Sequence, residues 1–295
     1  MIITPATIAA LQTTFSSIYR SAWDATVDWG SRVATTVPSS TRSNTYGWMK
    51  RLPSLRKWLG PRLIQNLSAH KYELTNEPYE LTVGVDRDDI EDDNLGVYNP
   101  IIGDMARSAR KWPDQLLKTI LQGGTSGLGF DGVAFFASTH ALDPAGNQSN
   151  NFTGTALSDV NFGSVRAAMG SYKGEDGEPL GVMPQLLIVP PQLEDTANKL
   201  VTAEYGANGA TNVQRGQASV LVIPELANQA TTWYLADVSR PIKPLIFQNR
   251  KAPEMVSKTA PTDDNVFHQR QFLWGVDARG AAGYGPWFLM ARAIA

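Results

Sequence analysis

The chain has 295 residues, 42% apolar and 18% charged, and its formal charge of −2 comes from 26 basic and 28 acidic side chains. That leaves room for one large or two ordinary domains with a sizeable core, excludes a disordered chain, and contains no run approaching the ~20 apolar residues of a membrane helix. The absence of cysteine rules out disulfides, thiolate-bound zinc, iron–sulfur clusters and thiol nucleophiles, and the near-neutral balance gives no global pull toward nucleic acid.

Met1 to Phe15 has no basic residue ahead of its apolar part, so no secretory signal is read and the chain is expected to stay in the cytosol. Thr4-Pro5 is a helix start, and Ile8, Leu11, Phe15, Ile18 and Tyr19 recur at helical spacing, predicting one amphipathic helix to about Ala22. Gly30 to Tyr46, rich in Ser and Thr and without helical period, reads as an extended arm. Tyr79, Leu81, Val83 and Val85 alternate as in a strand, with Lys71 to Thr75 the expected partner of a long hairpin that needs support from elsewhere. After the acidic run Asp86 to Asp93, apolar residues keep helical period from Ile101 to Leu121, and Pro113 is expected to kink or restart that helix. A Gly/Asn/Ser-rich tract follows, with a helix at Ser158 to Ser171. A strand is then read at Leu186 to Val189, a helix at Pro191 to Ala203, and strands at Ser219 to Ile223 and Trp233 to Leu235. Ile242 to Gln248, Val266 to Arg279 and Trp287 to Arg292 are the closing strands. Strands this long suit a scaffold more than a catalytic bowl.

Charge is concentrated in one place. Arg42 to Lys71 holds seven basic residues and no acid, whereas Glu73 to Asp104 holds ten acids and only Arg87. Blocks of +7 and −9 in succession predict two surfaces that meet opposite charge, within the fold or on a neighbouring copy. Trp48 and Trp58 lie among Arg51, Arg56 and Lys57, a composition that suits either stacking on a single nucleic-acid strand or the anchors of a protein interface.

Catalytic motifs do not gather. Gly127-Leu128-Gly129-Phe130-Asp131-Gly132 matches a dinucleotide-binding pattern in letters, but a helix precedes it and no helical period follows, so it reads as a turn between subregions. The Asp86 to Asp93 run lacks the glycine and spacing of a calcium loop and fits a helix start or a surface for a basic partner better. His140, with Asp143 nearby, reads as a loop or turn histidine, because nothing supplies a nucleophile elbow or an oxyanion hole.

Several motifs in order complete the reading. They are Tyr46-Gly47-Trp48, Pro53-x-Leu55-Arg56-x-Trp58-x-Gly60, Arg87-Asp88-Asp89-Ile90-Glu91-Asp92-Asp93, Val189-Pro190-Pro191-x-Leu193-Glu194, Trp233-Tyr234-Leu235, Ser239-Arg240-x-x-Lys243-Pro244-Leu245-Ile246-Phe247-Gln248 and Gly275-Val276-Asp277-Ala278-Arg279. In combination the chain resembles the major head subunits of Mu-like phages and prophages; residues 146–155 match least. The resemblance implies an α+β capsid fold of the Hong Kong 97 type. Its expected parts are an N-terminal arm (1–43), an extended hairpin loop (44–86), a peripheral domain (87–135 and 238–295) with a spine helix and long strands, and an axial domain (136–237). It implies a structural protein without catalytic residues, metal or cofactor, assembling as pentamers and hexamers into an icosahedral shell around double-stranded DNA that it contacts non-specifically. No membrane is involved. Scaffolding protein, maturation protease and portal are expected as separate partners, with decoration proteins a further option, and a scaffolding segment fused ahead of the arm is expected to be absent. Shells would form in the bacterial host cytoplasm and the subunit would reside in the virion. An encapsulin-like nanocompartment loading protein cargo is the alternative, and a metal-dependent hydrolase using the acidic run a third reading. The expected subunit contacts are Trp48, Arg51, Arg56, Lys57, Trp58 and Arg62 on the basic side, and Asp88, Asp89, Glu91, Asp92 and Asp93 on the acidic side of an adjacent copy.

Overall fold

The computed structural model describes residues 2–47, 72–92, 95–142, 146–174, 177–206 and 209–295. Helix α1 (Pro5–Ala25) starts as its sequence demands: Thr4 and Thr7 form a reciprocal capping box, with Pro5 in the first turn. A single helical turn, α2 (Gly30–Val33), then leads into β1 (Ala34–Pro38) and β2 (Ser43–Tyr46). β3 (Tyr72–Thr75) and β4 (Glu77–Asp86) are followed by α3 (Arg87–Glu91) and the 25-residue α4 (Tyr98–Gln122). The middle of the chain supplies β5 (His140–Leu142), β6 (Gly146–Gln148), β7 (Asn151–Phe152), α5 (Asp159–Gly170), β8 (Leu186–Val189), α6 (Glu194–Thr202), β9 (Ser219–Val222) and β10 (Thr232–Ala236). Two 14-residue strands, β11 (Leu245–Lys258) and β12 (Gln271–Tyr284), flank α7 (Asp264–Gln269), and β13 (Met290–Ile294) closes the chain.

Two sheets organise these elements. The first has the order β1-β11-β12-β4, with β1 parallel to β11 and the other pairs antiparallel. One face is apolar at alternate positions, where Val83, Val85, Phe272, Trp274 and Val276 meet Leu11 and Phe15 of α1 and Ile102 and Met105 of α4. Phe15 packs edge-on against Trp274 at 5.0 Å between ring centroids. The opposite face carries the cross-strand rows Glu254–Asp277–Glu80 and Val256–Gly275–Thr82. The second sheet has the order β7-β13-β10-β8-β9. Every residue of β8 and β10 is buried. α5 adds Phe162, Val165 and Met169 to this core, and α6 adds Ala197, Leu200 and Val201.

Several expectations change. Tyr79 to Val85 does form a strand, but its partner is β12; β3 pairs with β2 instead. The single connecting residue Asn76 is too short for a hairpin turn, whose usual minimum is two residues. It is also held: its amide donates to Ser39 Oγ and the Thr41 carbonyl, both at 2.9 Å, and its Oδ1 accepts from Gln248 Nε2 at 2.7 Å. Gly30 to Tyr46 is largely extended, as read, but contains the turn of α2, too short to show helical period. α4 runs on through Pro113 without restarting, because packing on the first sheet and α1 outweighs the backbone bond that proline cannot donate. The strand expected from Val266 begins only at Gln271; Asp264 to Gln269 is helical, and Arg270 ends it in the left-handed region at φ 56°. Trp287 to Leu289 is a 3₁₀ turn ahead of β13, and β13, expected beside the other closing strands, crosses to the second sheet beside β10. The glycine-rich pattern at 127–132 is a turn as read, closed by a bridge between Leu128 and Ala134.

His140 differs most from its expected setting. It lies in β5, fully buried, stacked on Trp287 at 4.1 Å, with Nδ1 2.6 Å from Asp131 Oδ2 and Nε2 3.1 Å from Asn150 Oδ1. Asn150 in turn donates to the carbonyls of Phe135, Trp287 and Met290. This is a packing node that ties the turn after α4 to the last strands.

Candidate subunit interface

The acidic run is built onto the end of β4. Asp86 caps α3, its Oδ1 accepting from the Asp88 amide at 2.9 Å, and Asp88 and Asp89 occupy the first turn, where the helix dipole favours negative charge. Buried Ile90 fastens the turn to the core below. Arg87 pairs with Glu91 at 2.9 Å, Asp88 pairs with Arg270 across the sheet, and Asp89 accepts from the Tyr98 hydroxyl at 2.5 Å. Burial, and then the bond to Asp89, push the Tyr98 phenol up. Asp88, Glu91 and Asp92 remain exposed at the surface. Among the described residues these acidic side chains thus share one surface and are partly neutralised from within. Asp93 lies outside the described residues, as do Trp48, Arg51, Arg56, Lys57, Trp58 and Arg62.

The strands flanking the basic segment are firmly anchored. Tyr46 and Tyr72 are opposite in the β2–β3 ribbon, and the Tyr46 hydroxyl donates to the buried Gln248 Oε1 at 2.7 Å. Gln248 Nε2 bonds the Leu74 carbonyl at 3.2 Å as well as Asn76, so one glutamine of β11 holds both ends of the ribbon. The Tyr72 hydroxyl accepts from the Tyr284 amide at 2.8 Å, joining the ribbon to the end of β12.

The N-terminal region is anchored as well. Asp114 of α4 is fully buried and accepts from the amides of Gly30 at 2.8 Å and Trp29 at 3.2 Å. Burial raises its carboxyl pKa, and those two N–H bonds oppose the rise. A side chain at Gly30 would meet Leu117 Cδ1 at 2.6 Å and Asp114 Oδ1 at 2.7 Å, so glycine is what lets α2 sit this close to α4.

Sequence reasoning missed a second surface. A groove of about 820 Å³ runs between the first turns of α1 and the α7 tip, with Ile3, Ile8, Pro261, Val266 and Phe272 among its apolar lining and Arg87 and Arg270 among its polar lining. Phe267 is itself part of the lining, with its ring 75% exposed. Reading Val266 to Arg279 as one strand hid this feature; the signal available was Asp263-Asp264-Asn265, a helix start rather than a strand interior. Among the described residues no cluster of three or more His, Asp or Glu is placed to hold a metal ion, and no helix is long and apolar enough to cross a membrane.

A family model for the Mu-like prophage major head subunit gpT matches residues 8–156, 151–226 and 225–294. The chain belongs to this family. The head subunit is 36% identical over 287 residues to the major capsid protein of Escherichia phage Mu, covering 97% of this chain and 73% of that protein. It is 29% identical to the Mu-like prophage FluMu major head subunit of Haemophilus influenzae, over 99% of this chain and 74% of that one. Among solved structures it superposes on the procapsid of bacteriophage JBD30 with a TM-score of 0.62 and 33% identity, over 99% of this chain and 76% of that chain. The fold is thus the α+β capsid fold of the Hong Kong 97 type, and the head subunit is a major capsid protein of a tailed phage. An encapsulin complex from Synechococcus elongatus shares the fold at a TM-score of 0.52 but only 10% identity, which does not favour the cargo-compartment alternative.

Proposed function

We propose that the head subunit assembles with copies of itself as pentamers and hexamers into an icosahedral shell around double-stranded DNA. What carries this reading is its 36% identity, over 97% of the chain, to the major capsid protein of phage Mu. Its role is structural, with shell geometry as the mechanism and no catalytic step. Residues 1–43 act as an arm, 44–86 as an extended loop, 87–135 with 238–289 as a peripheral domain, and 136–237 as an axial domain that the final strand joins. A separate scaffolding protein, protease and portal act with it in the bacterial cytoplasm, and DNA is contacted without sequence preference.

The charge blocks supply register between copies. Arg51, Arg56, Lys57 and Arg62 of one subunit, with Trp48 and Trp58 as aromatic anchors, face Asp88, Asp89, Glu91, Asp92 and Asp93 of the next. Since Asp88 and Glu91 already have partners in their own chain, the contact fixes orientation more than it adds affinity, each exposed pair contributing about 0–1 kcal/mol. Electron cryomicroscopy of the purified protein tests the reading: closed shells with five- and six-fold clusters are expected, and a species that stays monomeric under every assembly condition contradicts it.

A further inference from the structure

We propose that the groove between α1 and α7 receives the α7 tip of a second copy of the head subunit, with Phe267 as the inserted side chain and Asp264 meeting Arg87 and Arg270. The proposal rests on the shell reading above and names a contact within it. A phenyl ring 75% exposed, with Ile2 81% exposed nearby, is a poor surface for a free chain but an ordinary one for an interface. The ring forms part of the wall of a groove large enough for several side chains.

Charge selects the occupant. Asp264, Phe267 and His268 fall at i, i+3 and i+4, and so share one face of α7. Asp264, Phe267 and His268 are all exposed. The tip therefore offers an aromatic ring with a carboxylate one turn away. The groove offers the complement, apolar side chains with two guanidinium groups. Arg87 engages Glu91 through Nε, and Arg270 engages Asp88 through Nη2, so each keeps further N–H donors for a second carboxylate. Because the exposed ring belongs to the wall of the same groove, two copies can exchange tips reciprocally, as a self-complementary patch does.

The absence of native cysteine makes the contact directly measurable. Ala9→Cys places a thiol in the groove wall, and His268→Cys places one on the tip without removing Phe267. The two single variants, tagged differently, are co-assembled into shells and treated with a short bismaleimide. A product joining unlike chains can arise only between copies. It is expected at least ten-fold above a control pairing Ala9→Cys with Val213→Cys, a residue exposed elsewhere on the chain. In parallel, Phe267→Asp is expected to keep the wild-type melting temperature while lowering shell yield at least ten-fold, with Phe267→Leu retaining assembly. Shells that form without the cross-link, including shells in which another head protein fills the groove, overturn the proposal and leave the shell reading standing. Failure of the unmodified chain to form shells overturns both.

Discussion

The two sheets solve opposite problems. In the five-stranded sheet, β8 and β10 are buried at every position, and helices and loops of the same chain complete the core. In the four-stranded sheet, β4 and the outer half of β11 are mostly exposed, and α1 and α4 cover only one face. The first region satisfies itself. Among the described residues the second keeps a largely exposed outer face and borders a groove, which suits a subunit whose copies bind one another.

That contrast can be broken most sharply from the closed side. Trp233 is fully buried in β10, and its indole donates to the Thr155 carbonyl at 2.9 Å. Trp233→Ala is expected to cost about 3–5 kcal/mol, read as a lower midpoint in denaturant unfolding of the isolated subunit. A second prediction concerns the polar node under the β2–β3 ribbon. Gln248→Leu removes the acceptor that the Tyr46 hydroxyl uses on β11 and the donor to the Asn76 side-chain Oδ1, at a cost of about 1–3 kcal/mol. Hydrogen exchange should accelerate in residues 43–46 and 72–75 while 186–189 stays slow.

A third prediction follows from Asp114. Its folded pKa lies above the ordinary value of 3.8, so protonation favours the folded state. Its stabilising contribution is fully present below that ordinary value and is lost as pH rises through the raised folded one. The melting temperature of wild type relative to Asp114→Asn should therefore fall steadily over that rise; a constant offset would show that the carboxyl does not titrate with folding. The smallest effect belongs to the open face. Val256 is 46% exposed, and Val256→Thr should change subunit stability by no more than about 0.5 kcal/mol.

Much of this was legible in the sequence where a local rule and tertiary packing agreed. Thr4-Pro5 started α1, the four consecutive apolar residues Leu186 to Val189 were a buried strand, and Asp86 stood where a helix cap was needed. Legibility failed where a partner distant in sequence decided the outcome. Nothing local says that β4 pairs with β12, nearly 200 residues away, rather than with the adjacent β3. Nor does periodicity disclose that His140 is enclosed by Asp131, Asn150 and Trp287. The exposure of Asp88, Glu91 and Asp92 was readable because charges in a consecutive run favour the surface. The α7 groove was not, since Ile3, Ile8, Arg87, Arg270 and Phe272 meet only after folding.

The most direct test of the difference between the two regions is hydrogen exchange measured on the same protein as dissociated subunit and as shell. The account predicts that protection gained on assembly concentrates in residues 2–16, 77–92 and 259–270, while 186–189 and 232–236, already enclosed in the subunit, exchange slowly in both states. Equal protection of the first group in both states, or a gain confined to the five-stranded sheet, would contradict it.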